Sequence, residues 1–149
     1  MPITKLSAEQ FKPNMFSYVY APGGVAAITS ASPVDTGATY TYTSGATAEK
    51  IFVWVSCMFY QATAGAAHVK LVVTGGTLLN NGTTGGEFAY GDTSQTWDRA
   101  TGAFVIDVPA NTACTMKIQA YAESGGTHQF HLGSIYAPTI TGFAVGDVS

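Results

Sequence analysis

The chain has 149 residues, enough for one domain that buries roughly two-thirds of its unfolded surface around a single core. Charged residues make up 10% of it, against about 25% in an ordinary soluble domain, and the net charge is −3. The six basic residues are scattered, which excludes a phosphate-neutralising patch and so a nucleic-acid partner, and no run approaches the roughly 20 apolar residues of a membrane-spanning helix. A surface so poor in charge is expected to lie against other protein or to be coated by Thr, Ser, Asn and Gly. Met1–Met15 carries Lys5, Glu9, Lys12 and Pro13 where a signal peptide needs an apolar stretch, so the expectation is a protein made, and kept or assembled, in the cytosol.

In chain order, residues 1–14 read as an arm and 15–149 as a single β domain. Ser7-Ala8-Glu9-Gln10 has capping-box spacing, so one helical turn through Lys12 is expected before Pro13 ends it. One turn does not hold itself together, and the arm is expected to dock on its own chain or a neighbouring one. Met15–Tyr20 and Val25–Ser30 flank Pro22-Gly23-Gly24 and predict a hairpin. Pro33 opens a new segment, in which Ala38, Tyr40 and Tyr42 alternate with Thr39, Thr41 and Thr43 as in a half-buried strand.

Glu49–Gln61, EKIFVWVSCMFYQ, is the longest apolar run, and its β-branched and aromatic content makes it a strand. By parity, Ile51, Val53, Val55, Cys57 and Phe59 face one way and Phe52, Trp54, Ser56, Met58 and Tyr60 the other. A two-layer fold covers only one of these faces, so the aromatic one is a candidate contact surface for another chain. After Gly65, Ala67–Thr74 puts Val69, Leu71 and Val73 on one face and is expected to pair antiparallel with the central strand through a short loop.

Gly75–Thr96 is rich in Gly and Asn with little hydrophobic pattern. It reads either as an exposed recognition or lattice-contact loop, or as a solvated connection with one short strand at Glu87–Tyr90. From Gly102 onward alternation returns. Phe104, Ile106 and Val108 precede a turn at Pro109-Ala110-Asn111, and Cys114, Met116, Ile118 and Ala120 follow it, a hairpin with one wet side. Thr127–Tyr136 places His128, Phe130, Leu132 and Tyr136 on one parity, and Thr139–Val145 forms a last strand with Gly142 as its bulge. Strands at this spacing, with no long helical pattern, predict a sandwich or barrel.

Chemistry is sparse. His128 and His131 stand at i and i+3, which on a strand sends them to opposite faces, and no metal or other cofactor is expected. There is no Gly-x-Ser-x-Gly elbow, and Cys57 lies within an apolar strand where a thiol is inert, so no enzyme is expected. Cys57 and Cys114 form a disulfide if their strands face each other suitably, or remain two buried thiols. Trp97-Asp98-Arg99 has the residue types that stack on and hydrogen-bond to a sugar ring, or else marks a strand end. With Asn81 and Tyr90, Trp97 and Arg99 make up the candidate recognition loop. Asn81-Gly82-Thr83 matches a glycosylation sequon that has no meaning without export.

The stretch Arg99–Tyr121, with Val108-Pro109-Ala110 between two alternating segments, resembles the strand–turn–strand units of trimeric jelly rolls of the tumour-necrosis-factor and complement-C1q type. The Thr/Gly/Ala-rich, charge-poor composition resembles virion proteins of tailed bacteriophages. The resemblance implies an all-β, antiparallel two-sheet jelly-roll sandwich with a short N-terminal arm. It also implies a homotrimer whose axis is lined by aromatic side chains of one sheet, here Phe52, Trp54, Met58 and Tyr60. The function it implies is capsid decoration: a cement protein of the virion, made in the host cytoplasm, that bridges major capsid proteins. Ile3, Lys5, Leu6, Phe11 and Lys12 of the arm would meet the capsid. The alternative is a receptor-binding tail-fibre or spike tip that reads host glycans.

Overall fold

The computed structural model describes residues 14–60, 66–80, 86–92, 97–123 and 128–146. The arm lies outside these residues, except that Asn14 already belongs to the first strand. Every regular element among the described residues is a strand: β1 (Asn14–Val19), β2 (Val25–Ile28), β3 (Val34–Thr43), β4 (Glu49–Tyr60), β5 (Ala66–Thr74), β6 (Thr77–Leu78), β7 (Glu87–Asp92), β8 (Trp97–Val108), β9 (Ala113–Ala122), β10 (His128–His131) and β11 (Thr139–Gly146). They form two antiparallel sheets, the expected two-sheet jelly-roll sandwich.

Sheet 1 has seven strands built around β4. Along one edge β4 pairs with β8 over its whole length, and β6 lies beyond β8. Along the other edge Glu49–Ser56 pair with β11, Phe59 and Tyr60 pair with β10, and β1 and β2 lie outside β11 and β10. Sheet 2 runs β3-β9-β5-β7. The core fills the space between them. Ile51, Val53, Val55, Cys57 and Phe59 of β4 are all buried, and Leu71, Met116 and Ile118 of sheet 2 are wholly enclosed. Burial alternates strictly along β4 and β9, as the parity of the sequence requires. One edge between the sheets is closed by aromatic stacking, with the Phe16 ring of β1 4.8 Å from Tyr40 and 5.6 Å from Tyr42 of β3.

Four local expectations are corrected. First, β1 and β2 make no hairpin: each pairs antiparallel to a neighbour of β4, so both run in the direction of β4, one after the other along the sheet edge. Gly23 and Gly24, both at positive φ, jog the chain instead of reversing it, and Gly23 N–H and Leu132 N–H donate across the jog to Leu132 and Gly24 carbonyls. Second, β5 is no partner of β4 but lies in the opposite sheet. Third, the turn after β8 is an arch: β8 belongs to sheet 1 and β9 to sheet 2. Ser44, buried at the end of β3, ties this arch down. Its hydroxyl meets the Pro109 carbonyl at 2.5 Å and accepts from Thr112 N–H at 2.9 Å, while Asn111 takes a left-handed φ of 51°.

Fourth, Gly142 is no bulge, since β11 keeps unbroken register with β1 and β4. A Cβ there would run into the Phe52 carbonyl oxygen and the Phe16 ring, so close approach explains the glycine. Elsewhere the differences are of extent. Gly75–Thr96 contains β6 and β7, with residues 81–85 and 93–96 outside the described set. β10 ends at His131, and a turn precedes Tyr136, so Tyr136 leaves the strand parity.

Candidate functional site

The side chains of β4 that do not enter the core come out on the far side of sheet 1, and there the register decides who meets whom. Phe52 is opposite Phe143 of β11 and Val105 of β8, and Trp54 is opposite Thr141 and Ala103. Further along, Met58 is opposite Arg99 and Tyr60 opposite Trp97. Two aromatic groups result. In the first, Phe143 stacks on Phe52 at 5.1 Å and tilts against Trp54 at 5.7 Å. In the second, Trp97 lies 5.3 Å from Tyr60 and edge-on to His131 at 5.1 Å, and His131 is edge-on to Tyr136 at 5.2 Å.

This face is largely uncovered. Trp54 is 50% exposed, and Met15, Val19 and Val25 along the outer edge are also exposed. A depression of about 420 Å³ runs beside Trp54, walled by Ser56, Thr101, Ala103, Thr139 and Thr141. The charges among the described residues of this face are the Lys50–Asp107 ion pair at one end and Arg99 toward the other.

The outer face of sheet 2 has the opposite character. Thr41 and Thr115 share a hydrogen bond at 3.0 Å, and Asp35 accepts from Lys117 at 2.9 Å and Gln119 at 2.6 Å. Hydrogen bonds from Lys117 and then Gln119 hold the Asp35 carboxyl below its usual range. Nearer its β7 edge, His68 is stacked on Tyr121 at 4.3 Å between Glu87, 2.6 Å from Nδ1, and Glu123, 3.2 Å from Nε2. Sheet 2 is thus finished with charged and polar pairs on its outer side, whereas sheet 1 presents aromatic rings set among the hydroxyls of Ser56, Thr101, Thr139 and Thr141.

Phe52, Trp54, Met58 and Tyr60 are brought together on one face as the parity requires. Trp97 and Arg99 join them from β8, so they sit on a sheet rather than in a loop, and Asp98 between them has core-facing parity opposite Phe59. Tyr90 does not join them: its backbone pairs with His68 at the edge of sheet 2, and its side chain lies outside the described set. Asn81 and the arm residues Ile3, Lys5, Leu6, Phe11 and Lys12 also lie outside the described residues. Phe143, His131 and Tyr136 are members that sequence reasoning missed. Alternation within Thr139–Val145 marks Phe143 as outward, but only the pairing of β11 with β4 puts it against Phe52.

His128 and His131 do fall on opposite faces, His128 wholly buried and His131 on the outer side. Both cysteines are buried thiols, one in each sheet, and burial raises both, Cys114 to about 11. Such a sheet face is suited to being covered by another surface.

No family model matches the chain, and no curated protein matches it. Among solved structures, Eiger TNF from S. frugiperda superposes over 92% of this chain and 95% of its own, with a TM-score of 0.50 at 9% sequence identity. At that identity the likeness concerns fold: the chain adopts a TNF-like jelly roll.

Proposed function

We propose that this protein is a non-enzymatic virion component of a tailed bacteriophage, a homotrimeric jelly-roll cement that decorates the capsid and bridges major capsid proteins. The observation that carries the reading is the contrast between the two outer faces. A polar sheet 2 and an aromatic sheet 1 are what a chain needs when one side meets water and the other meets protein. A second copy is the natural cover, because a homo-oligomer presents the same patch on every subunit and needs no separate partner gene product to complete it. The low charge of the chain agrees with this, since interface centres are depleted in charged residues and enriched in aromatics. The trimeric state and the capsid partner come from the resemblance to trimeric jelly rolls and phage virion proteins. In this reading the arm, with Ile3 ahead of Lys5 and with Leu6 and Phe11 between Lys5 and Lys12, grips the shell.

Co-sedimentation with expanded, decoration-free capsids tests the assignment. Saturable binding that fails when residues 1–13 are deleted is expected. A chain that stays in the supernatant at all concentrations contradicts the cement role.

A further inference from the structure

We propose that the depression among Met58, Trp97, His131 and Tyr136, at one end of the outer face of sheet 1, binds a pyranose bearing a carboxylate, of the hexuronate or sialate class. The site rests on the cement reading in one respect: a second copy on this face must stop at the Phe52–Trp54–Phe143 group and leave the Met58 end open. It lies four residues along β4 from Trp54, about 13 Å at strand rise, and so is separate from the Phe52–Trp54–Phe143 group.

Three observations carry it. The depression holds about 160 Å³, room for one ring, and its Trp97 and Tyr136 walls are 38% and 40% exposed. Both rings cross His131 steeply, at 70° and 82°, and it is their exposed ring surface that would take the C–H side of a sugar. Next, the histidine is fixed as a donor. Gly133 N–H donates to His131 Nδ1 at 2.9 Å, so the proton of the neutral ring is on Nε2. Gly133 fits there because it has no side chain, as a Cβ would lie 2.5 Å from His131 Cε1.

The third is charge. Arg99 is the next outward residue of β8 after Trp97, beside Met58, exposed and without an ion pair among the described residues. Asp98 has the other parity, and Asp107, the carboxylate that the described residues place on this face, is paired with Lys50 at the opposite end. A cationic guest would meet Arg99 with no carboxylate to offset it, and a small aliphatic anion would leave the ring faces unused. A carboxylated sugar uses the rings for stacking and the guanidinium for its acid group.

The test is a titration of the full-length chain with methyl glucuronide, N-acetylneuraminic acid and methyl glucoside, followed by the NMR signals of the Trp97 indole and the His131 ring. Saturable shifts with at least one of the two acids, and binding of the glucoside weaker by about tenfold or more, are expected; which acid responds identifies the source. Arg99→Gln should abolish the preference for the acid, and Tyr136→Ala, in an exposed turn, should weaken every sugar while the rest of the spectrum stays in place. Silence toward both acids, equal affinity for glucoside and glucuronide, or an unchanged preference in Arg99→Gln would each overturn the site.

Discussion

His128 is the residue that pays most visibly for its place. Its ring is wholly enclosed, and neither nitrogen has a hydrogen-bond partner among the described residues. Burial disfavours the imidazolium and lowers the pKa from the usual 6.5. The unfolded chain therefore takes up a proton as pH falls through about 6.5, while the folded chain does not until its lower pKa is reached, and stability drains away across that window. His128→Leu removes both the orphaned polar atoms and this linkage. Urea midpoints at about pH 7.5 and about pH 5.5 should show the variant gaining on the wild type at the lower pH. A gap that stays constant would contradict the account. The alternation around Phe130 announced that His128 points inward, but the absence of a partner depends on neighbours brought by other strands and was not legible.

Among the elements, β11 and the arch between β8 and β9 carry the most information about how the sheets are joined. Gly142→Ala should cost about 1–3 kcal/mol, because the added methyl meets the Phe52 carbonyl and the Phe16 ring in a strand held in register on both sides. A chemical denaturation curve measures it, and an unchanged midpoint would show that β11 can shift. Ser44→Ala should cost about 0.5–1.5 kcal/mol, since Thr112 N–H, only half-buried at the arch, loses the buried Ser44 hydroxyl as its side-chain acceptor. Strand positions and faces were readable because period-two alternation records which side is buried. Connections were not. A hairpin and an arch show the same two alternating runs around the same short turn; in a hairpin both apolar faces point to one side of a sheet, in an arch they point at each other. Pro109-Ala110-Asn111 looks alike in both cases, and the pairing of β8 with β4 rather than β9 is a long-range choice. Gly142 was misread for a similar reason: a glycine within a strand signals a bulge or a close approach, and only the third dimension separates them.

For the whole molecule, the decisive feature is that two sheets share one core and treat their outer sides differently. Sheet 2 ends in threonines, Lys117 and Gln119, whereas sheet 1 ends in Phe52, Trp54, Phe143 and Trp97. The β4 half of that aromatic face was visible from parity alone. Its completion by Phe143 and by His131 and Tyr136 was not, because these residues are contributed by strands and turns more than 70 positions later in the chain. A face of this kind left open to water would favour association, and a charge at its centre should prevent it. Trp54→Glu, at an exposed position outside the core, is therefore expected to keep the fold and lose the assembly. The most direct test is the solution mass of the wild type beside this variant, by light scattering across a concentration series. The account predicts three times the 15.5 kDa of one chain for the wild type and a single chain for Trp54→Glu, with the same β spectrum. A wild type that remains monomeric at every concentration would contradict it.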